Sequence, residues 1–394
     1  MSLERFLKFQ AQTSTHPFVV EVDRAEGSFI YDKNGKPYLD FIAGVSACPL
    51  GHNNPKVVSA IKEQLDKYLH VMVYGEFVQD APVALAELMA EHMPQPLQTT
   101  YFTNSGTEAI EGAIKLSKRY TGRAEIISAI NAYHGNTMGS MSVMGYENRK
   151  RAFRPLIPGI NFIEFNNEKD IDKITKSTAS VILETIQGGA GFVEPKNNYL
   201  LKVKKRCEEV GALLILDEIQ PGIGRTGKLF GFQNYGVVPD IVVTGKGLGG
   251  GMPIGAFTSS KKMMDCLMDN PKLGHITTFG GHPVISAAAL ATLKEITSSD
   301  LIPLTLEKEK FVRNYLKHPL INEIRGKGLM LAAMLPNSEL ASEVILECKN
   351  RGLLLFWLLF EGKALRITPP LTISIEELKK GCDIIIDVLN NLKQ

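Results

Sequence analysis

Residues 212–230 read ALLILDEIQPGIGRTGKLF, and two features inside them pull toward different folds. The run LLILD is apolar up to Asp217, the pattern of a strand covered by helices on both faces. In open α/β sheets ligands gather at the carboxyl ends of such strands, and a carboxylate buried there needs a cationic partner. Just beyond, GIGRTGK (222–228) fits G-x-x-x-x-G-K, the front of a nucleotide-binding loop. That loop needs Ser or Thr next, to hold magnesium, and a helix opening at once. Leu229 and then Phe230-Gly231 follow instead, and the glycines do not leave their strand directly. A nucleotide triphosphatase is the weaker reading, which leaves Asp217 to be explained.

Working outward, the same pattern repeats. TTYFTN leads into a helix over EAIEGAIKLSKRY, and AEIISAI, NFIEF, SVILET, ALLILDE and DIVVT follow as short apolar strands with helical stretches between several of them. This alternation predicts a parallel sheet flanked by helices. Upstream, FVVEVDRAEGSFIYDKNGKPYLDF (18–41) reads as short strands around the turns Glu26-Gly27 and Asn34-Gly35. Helices are expected over PKVVSAIKEQLDKYL, with Pro55 in its first turn, and over APVALAELMAEHM. Beyond about residue 298, EIRGKGLMLAAML, GLLLFW and ALRIT look like strands, and ASEVILECKN and IEELKKGCDIIIDVLNNL like helices. The expected division is an N-terminal segment (1–48) packing with a small domain, a large domain (49–298) and that small α+β domain (299–394).

Composition bounds the function. Of 394 residues, 44% are hydrophobic and 22% charged, ordinary values for a globular protein with a large core. A formal net charge of +2, without a basic tail or charge block, argues against nucleic acid or an acidic membrane as partner. Cys48, Cys207, Cys266, Cys348 and Cys382 are scattered and form no C-x-x-C, which points to reduced thiols and a cytoplasmic location. MSLERFLKFQAQTSTHPF lacks the apolar stretch of a secretory signal. LLLFWLLF (353–360) is too short to span a membrane and reads as a buried strand. The eight histidines show no paired metal-ligand spacing.

Two further stretches give Asp217 company. YFTNSGTEAIEGAIKL (101–116) sets Ser105-Gly106-Thr107 between a strand and a helix. Amides at a helix start, with a hydroxyl and a glycine that admits the ligand, make an anion site, although taken alone the stretch reads better as an ordinary Ser or Thr cap with a capping-box glutamate. VVTGKGLGGGMPIGA (242–256) puts Lys246 at the end of the next apolar strand, 29 positions after Asp217. An anion-binding helix start, a strand-end aspartate and a strand-end lysine are together what pyridoxal phosphate requires. The lysine condenses with its aldehyde, the aspartate keeps the pyridine nitrogen protonated, and the helix start holds the phosphate.

With these motifs in place, SGTEA (105–109), YHGNT (133–137), ETIQGGAGF (184–192), DEIQPGIGRTGKLF (217–230), TGKGLGGGMPIGA, TTFGGHP (277–283) and LRITPPL (365–371) stand in the order and spacing of the class III aminotransferases. The chain resembles that family, which includes the acetylornithine, ornithine and 4-aminobutyrate enzymes, over nearly its whole length. The resemblance implies the fold type I of pyridoxal-phosphate-dependent transferases, an α/β architecture with a large, mostly parallel sheet domain and a smaller α+β domain. It implies that Lys246 is the reactive amine, that Ser105, Gly106 and Thr107 hold the phosphate, and that Tyr133 stacks on the pyridine ring with His134 beside it. Glu184 lies close to the cofactor, Asp217 pairs with the ring nitrogen, and Gln220 reaches the phenolic oxygen. Thr278 reaches the phosphate of a partner subunit, so a homodimer with shared sites is implied.

An amino donor, ω-amino by the resemblance, and an oxo-acid acceptor such as 2-oxoglutarate or pyruvate would react in turn by a ping-pong mechanism. Arg366 resembles the family's arginine for a substrate carboxylate, a task that suits a planar guanidinium. Two positions depart from the pattern. Asn136 stands where the ornithine and acetylornithine enzymes carry an arginine, and Gly189 where ornithine- and 4-aminobutyrate-type enzymes carry a glutamate. An aminomutase of the glutamate-semialdehyde type and a non-catalytic binding protein on the same fold are the alternatives.

Overall fold

The computed structural model of the chain describes residues 2–15 and 17–392. The N-terminal part holds α1 (Ser2–Phe9), β1 (Val22–Glu26), β2 (Phe29–Asp32), β3 (Pro37–Asp40), α2 (Ala43–Ser46), α3 (Pro55–Leu65) and α4 (Asp80–Glu91). The middle supplies β4 (Thr99–Thr103), α5 (Gly106–Thr121), β5 (Glu125–Ala129), α6 (Met138–Ser142), β6 (Ile160–Ile163) and β7 (Thr178–Glu184). It continues with α7 (Tyr199–Val210), β8 (Leu213–Asp217), β9 (Ile241–Gly245), β10 (Gly255–Ser259) and α8 (Lys261–Met264). The last part comprises α9 (Pro283–Ser298), α10 (Leu301–Tyr315), β11 (Glu323–Lys327), β12 (Met330–Met334), α11 (Ser338–Asn350), β13 (Leu353–Leu354), β14 (Ala364–Ile367) and α12 (Ile375–Asn391).

The central sheet has seven strands in the order β4-β10-β9-β8-β7-β5-β6. Its strands look apolar throughout because both faces are covered, and the two-residue period of a strand deals successive side chains to opposite layers. Val181, Leu183, Leu214, Leu216 and Val242 join one core with α3, α4, α7 and α9. Their neighbours Ile182, Leu213, Ile215, Ile241 and Val243 join a second core with α5 on the other face. Each fully buried Leu or Ile contributes about 1.5–3 kcal/mol to holding helices on sheet. β5 to β9 pair in parallel, as the alternation predicts. One strand, over GAFTS, was not expected: β10 runs antiparallel to both β4 and β9. Gly255 allows this, because a Cβ there would sit 2.0 Å from the Ser105 carbonyl oxygen. The absent side chain lets β10 lie against the turn that opens α5.

A three-stranded antiparallel sheet, β11-β12-β14, lies near the C-terminus. Leu331, Ala333, Leu365 and Ile367 pack from it onto α10, α11 and α12, together with Leu39 and Phe41 from the N-terminal segment. Its other face, Met330, Ala332, Met334 and Ala364, packs on Ile186 and Phe192 from the loop after β7. α9 belongs to the central core and α10 to this smaller one. On that division of cores we propose the domain limits 1–48, 49–298 and 299–394.

The segment 353–360 corrects the reading of a buried strand. Only Leu353–Leu354 is strand, and it pairs in parallel with β3 rather than with the small sheet. Beyond it the Phe356 carbonyl accepts from Arg366 N at 3.1 Å and Phe360 N donates to the Gly189 carbonyl at 2.9 Å. These bonds carry the chain across the mouth of the central sheet, and Phe356 and Leu359 stay exposed there. Among the described residues no helix is long and apolar enough to cross a membrane.

Candidate active site

Strand register assembles the site. β7 and β8 lie side by side with Glu184 opposite Asp217, so both carboxyl groups emerge on one face at the carboxyl edge. β9 is next, and Lys246 follows its last residue, Gly245. The turn after β4 brings in the start of α5, and the loop after β5 brings Tyr133, His134 and Asn136. Gly106, Thr107, Tyr133, His134, Asn136, Glu184, Asp217, Gln220, Lys246 and Arg366 all line one cavity of about 480 Å³. Arg366 arrives from β14, whose register sets it opposite Ala332.

Asp217 is buried and doubly held: Oδ1 accepts from Ile219 N at 3.0 Å, and Oδ2 lies 2.8 Å from His134 Nδ1. His134 is itself enclosed, and its Nε2 has no partner. Glu184 accepts from Tyr133 N at 3.2 Å and Gly188 N at 3.1 Å, which ties two loops to the strand end. Burial, reinforced by the Asp217 charge and opposed by His134 and those amides, pushes the Glu184 carboxyl up to about 7. Desolvation pushes the Lys246 amine down to about 8; Asp217 and Glu184 oppose the shift and Arg366 adds to it. Lys246 also has φ 42°, a left-handed backbone seldom adopted by a residue with a side chain.

Arg366 is 5% exposed, and burial lowers its guanidinium to about 10. Nη2 donates weakly to the Trp357 carbonyl at 3.5 Å, while Nε and Nη1 have no acceptor. A buried guanidinium with two unpartnered donor nitrogens is costly unless a ligand completes it.

The remaining expected residues fall as follows. Ser105 caps α5, accepting from Glu108 N at 3.4 Å, and does not line the cavity. Gly106 and Thr107 do line it, and their first-turn amides have no helical acceptor. The Thr107 hydroxyl lies 2.9 Å from Thr137 Oγ1 and 2.7 Å from Ser140 Oγ. Gln220 Nε2 donates to Ser46 Oγ at 3.4 Å, and Asn136 Nδ2 to the Tyr133 hydroxyl at 3.2 Å. Thr278 is exposed and lies outside this cavity. It neighbours Ile276 and Phe279, 46% and 50% exposed.

Several cavity residues carried no signal in the sequence: Val45, Ile219, Phe356, Trp357 and Leu359 form an apolar wall. Gly189 lines the cavity too, and a Cβ on it would lie 2.8 Å from the Phe360 ring. That ring stacks on Tyr146 at 4.4 Å and occupies the space a larger residue at 189 would need. Among the described residues no group of three or more His, Cys, Asp or Glu is placed to hold a metal ion.

These groups fit pyridoxal phosphate: helix-start amides for a phosphate, a carboxylate fixed by histidine for a ring nitrogen, and an amine of lowered basicity, all facing one cavity.

Comparison with known proteins agrees with this chemistry. A family model described as aminotransferase class-III matches residues 9–389. An acetylornithine aminotransferase of Caldanaerobacter subterraneus is 38% identical over 382 residues, covering 94% of each chain. A putrescine aminotransferase of Pectobacterium atrosepticum is 38% identical over 407 residues, 98% of this chain and 86% of that one. Among solved structures, an ornithine aminotransferase from Toxoplasma gondii with partial occupancy of pyridoxal phosphate at its active site has a TM-score of 0.92 at 29% identity. The match covers 100% of this chain and 94% of that one.

Proposed function

This chain belongs to the class III aminotransferases, and from that premise we propose that it moves an amino group from an ω-amino donor to an oxo acid, in two half-reactions through one site. It is a transaminase, and its cofactor is pyridoxal phosphate. The observation that carries the residue-level reading is the meeting of Lys246, the Asp217–His134 pair and the unpaired Arg366 in one cavity.

In this reading the amides of Gly106 and Thr107 hold the cofactor's phosphate, Tyr133 stacks on its ring and Gln220 faces the phenolic oxygen. Asp217, oriented by His134 and Ile219 N, holds a proton on the ring nitrogen. Bound there, the cofactor supplies a carbonyl that takes up the donor's amine and a ring that withdraws electrons from the adjacent carbon. Lys246 Nζ accepts the proton leaving the donor's carbon, because desolvation keeps much of it neutral near pH 8. Arg366, with Nε and Nη1 unpartnered and Nη2 only weakly held, offers its guanidinium edge to a substrate carboxylate and so fixes which carbon faces Lys246.

The proposal includes a homodimer. Ile276 and Phe279 beside Thr278 are exposed apolar side chains, and Phe77, 56% exposed, shares a groove with the adjoining Gly280 and Gly281, a surface that suits a second copy of the chain. Burying it would let Thr278 reach the partner's phosphate site. The five free cysteines fit a cytoplasmic setting.

Absorbance of the purified protein during titration with α- and ω-amino donors tests the proposal. Conversion of the cofactor spectrum by a donor, its return on adding an oxo acid, and a borohydride-fixed adduct on the Lys246 peptide are expected. No conversion with any donor overturns it.

A further inference from the structure

Glu111 has no part in the reading above, yet donors from another part of the chain converge on it. It lies on α5 one turn beyond Thr107, on the same helix face. Its Oε1 accepts from Gly139 N at 2.8 Å, Ser140 N at 3.1 Å and the Thr137 hydroxyl at 2.5 Å. The two amides belong to the opening turn of α6, where no helical acceptor exists for them. Gly139 lets the carboxylate in, because a Cβ there would lie 2.0 Å from Glu111 Oε2.

The hydroxyls of Thr107, Thr137 and Ser140 form a triangle behind the cavity wall, 2.9 Å from Thr107 to Thr137, 2.7 Å from Thr107 to Ser140 and 2.9 Å from Thr137 to Ser140. Each has one proton to give. Thr137 gives its proton to Glu111, so Thr107 is the donor in its contact with Thr137. With that proton committed, Ser140 donates to Thr107 at 2.7 Å in preference to the Thr137 carbonyl at 3.1 Å. The run from Ser140 through Thr107 and Thr137 has a direction because a carboxylate ends it. Thr107 Oγ1 also accepts from Thr137 N at 3.3 Å, and a Cβ on Gly135 would lie 2.2 Å from it, which leaves the Thr107 side chain little room to turn.

We propose that Glu111 is a positioning residue for the cofactor's phosphate: by tying the start of α6 and the hydroxyls beside it to α5, it fixes the Thr107 side chain and the first turn of α5 at that end of the cavity. The inference rests on the reading above that puts the phosphate at Gly106 and Thr107, and it adds a residue that does not line the cavity. A preorganised site loses less freedom when its ligand arrives, so loosening this support weakens the grip on phosphate and spares the grip on the ring. A carboxylate near a phosphate adds no attraction of its own. The reach of Oε1, not the charge, is what the site uses.

The test measures binding of pyridoxal phosphate and of pyridoxal, which lacks the phosphate, to the cofactor-free full chain, read by absorbance; the ratio of the two affinities isolates the phosphate. Glu111→Ala should cut that ratio by about tenfold, and Glu111→Asp, one methylene too short to reach α6, by about fivefold. Glu111→Gln keeps Oε1 and should stay within about threefold of the parent. In a Thr107→Val background Glu111→Ala should change the ratio by less than about twofold, since the route through Thr107 is already cut. A lowered Tm with the ratio unchanged would make Glu111 a clamp between helices and overturns the inference, as does a loss in Glu111→Gln equal to that in Glu111→Asp. Should Glu111→Ala fail to fold, the Asp and Gln variants decide between these outcomes. A ratio near one in the parent overturns the placement of the phosphate itself, and this inference with it.

Discussion

Two glycine-rich loops of this chain, GIGRTGK (222–228) and TGKGLGGG (244–251), each take a cation out of bulk water, and they use it differently. Arg225 is 2% exposed, and its basicity is lowered to about 9 by burial. Its Nη1 donates to the carbonyls of Leu329 and Pro369, and its own carbonyl accepts from Leu329 N at 2.9 Å. The loop therefore fastens the central sheet to the smaller one. Lys246 comes from a loop of similar composition but faces a cavity shared with Asp217 and Glu184. Backbone carbonyls make a cation structural; a cavity with acids along it leaves the cation free to react.

Substitutions can break this contrast, the largest effect first. Lys246→Ala should abolish transamination, by roughly 10⁴-fold or more if the amine is both cofactor anchor and base. The cofactor-free variant should melt no lower than the parent, since a desolvated amine is removed while alanine leaves the backbone strain as it was; a large fall in Tm would make Lys246 structural after all. Arg225→Ala should act the other way. It leaves carbonyls unpaired around a void and should cost about 3–5 kcal/mol in urea unfolding, with kcat of the folded fraction largely kept. A folded variant with normal stability would remove the structural assignment.

Arg366→Lys loses the fork that meets a carboxylate, so KM for the oxo acid should rise by about 100-fold with a smaller change in kcat. A fall in kcat alone would place Arg366 outside substrate binding. The smallest effect concerns pH. Lys246 titrates near 8 rather than 10.5, and its neutral, nucleophilic form grows as pH rises. Capture of pyridoxal phosphate by cofactor-free protein should therefore accelerate by about tenfold per unit below pH 8 and level off above it. A rate still climbing at pH 10 would mean an ordinary lysine.

Legibility in the sequence followed the type of element. The five parallel strands were readable because burial on both faces produces an apolar run, and each run was bounded by turn residues. GAFTS was not, being short, opened by glycine and placed directly after the glycine-rich loop; its antiparallel pairing depends on a missing Cβ meeting the Ser105 carbonyl. LLLFWLLF misled for the opposite reason, since its apolar character is divided between the core, which takes Leu353, Leu355 and Leu358, and the cavity lining, which takes Phe356 and Leu359, without a strand beyond Leu354. Composition alone cannot tell a side chain buried by protein from one covered by substrate.

Alternation of strands and helices, the strand-end positions of Asp217 and Lys246, and the ordered motifs determined the fold class, the enzyme family and the cofactor, because these are local properties of the chain. Tertiary structure alone decided that Asp217 meets His134 and that Arg366 keeps two donor nitrogens without an acceptor. It also decided that Phe360 fills the space beside Gly189 and that Val45, Ile219, Phe356 and Leu359 line the same cavity. Each depends on residues tens to hundreds of positions apart reaching one point, and a hydrogen-bond partner or a contact at van der Waals distance exists only once register and packing have set the atoms within a few ångströms.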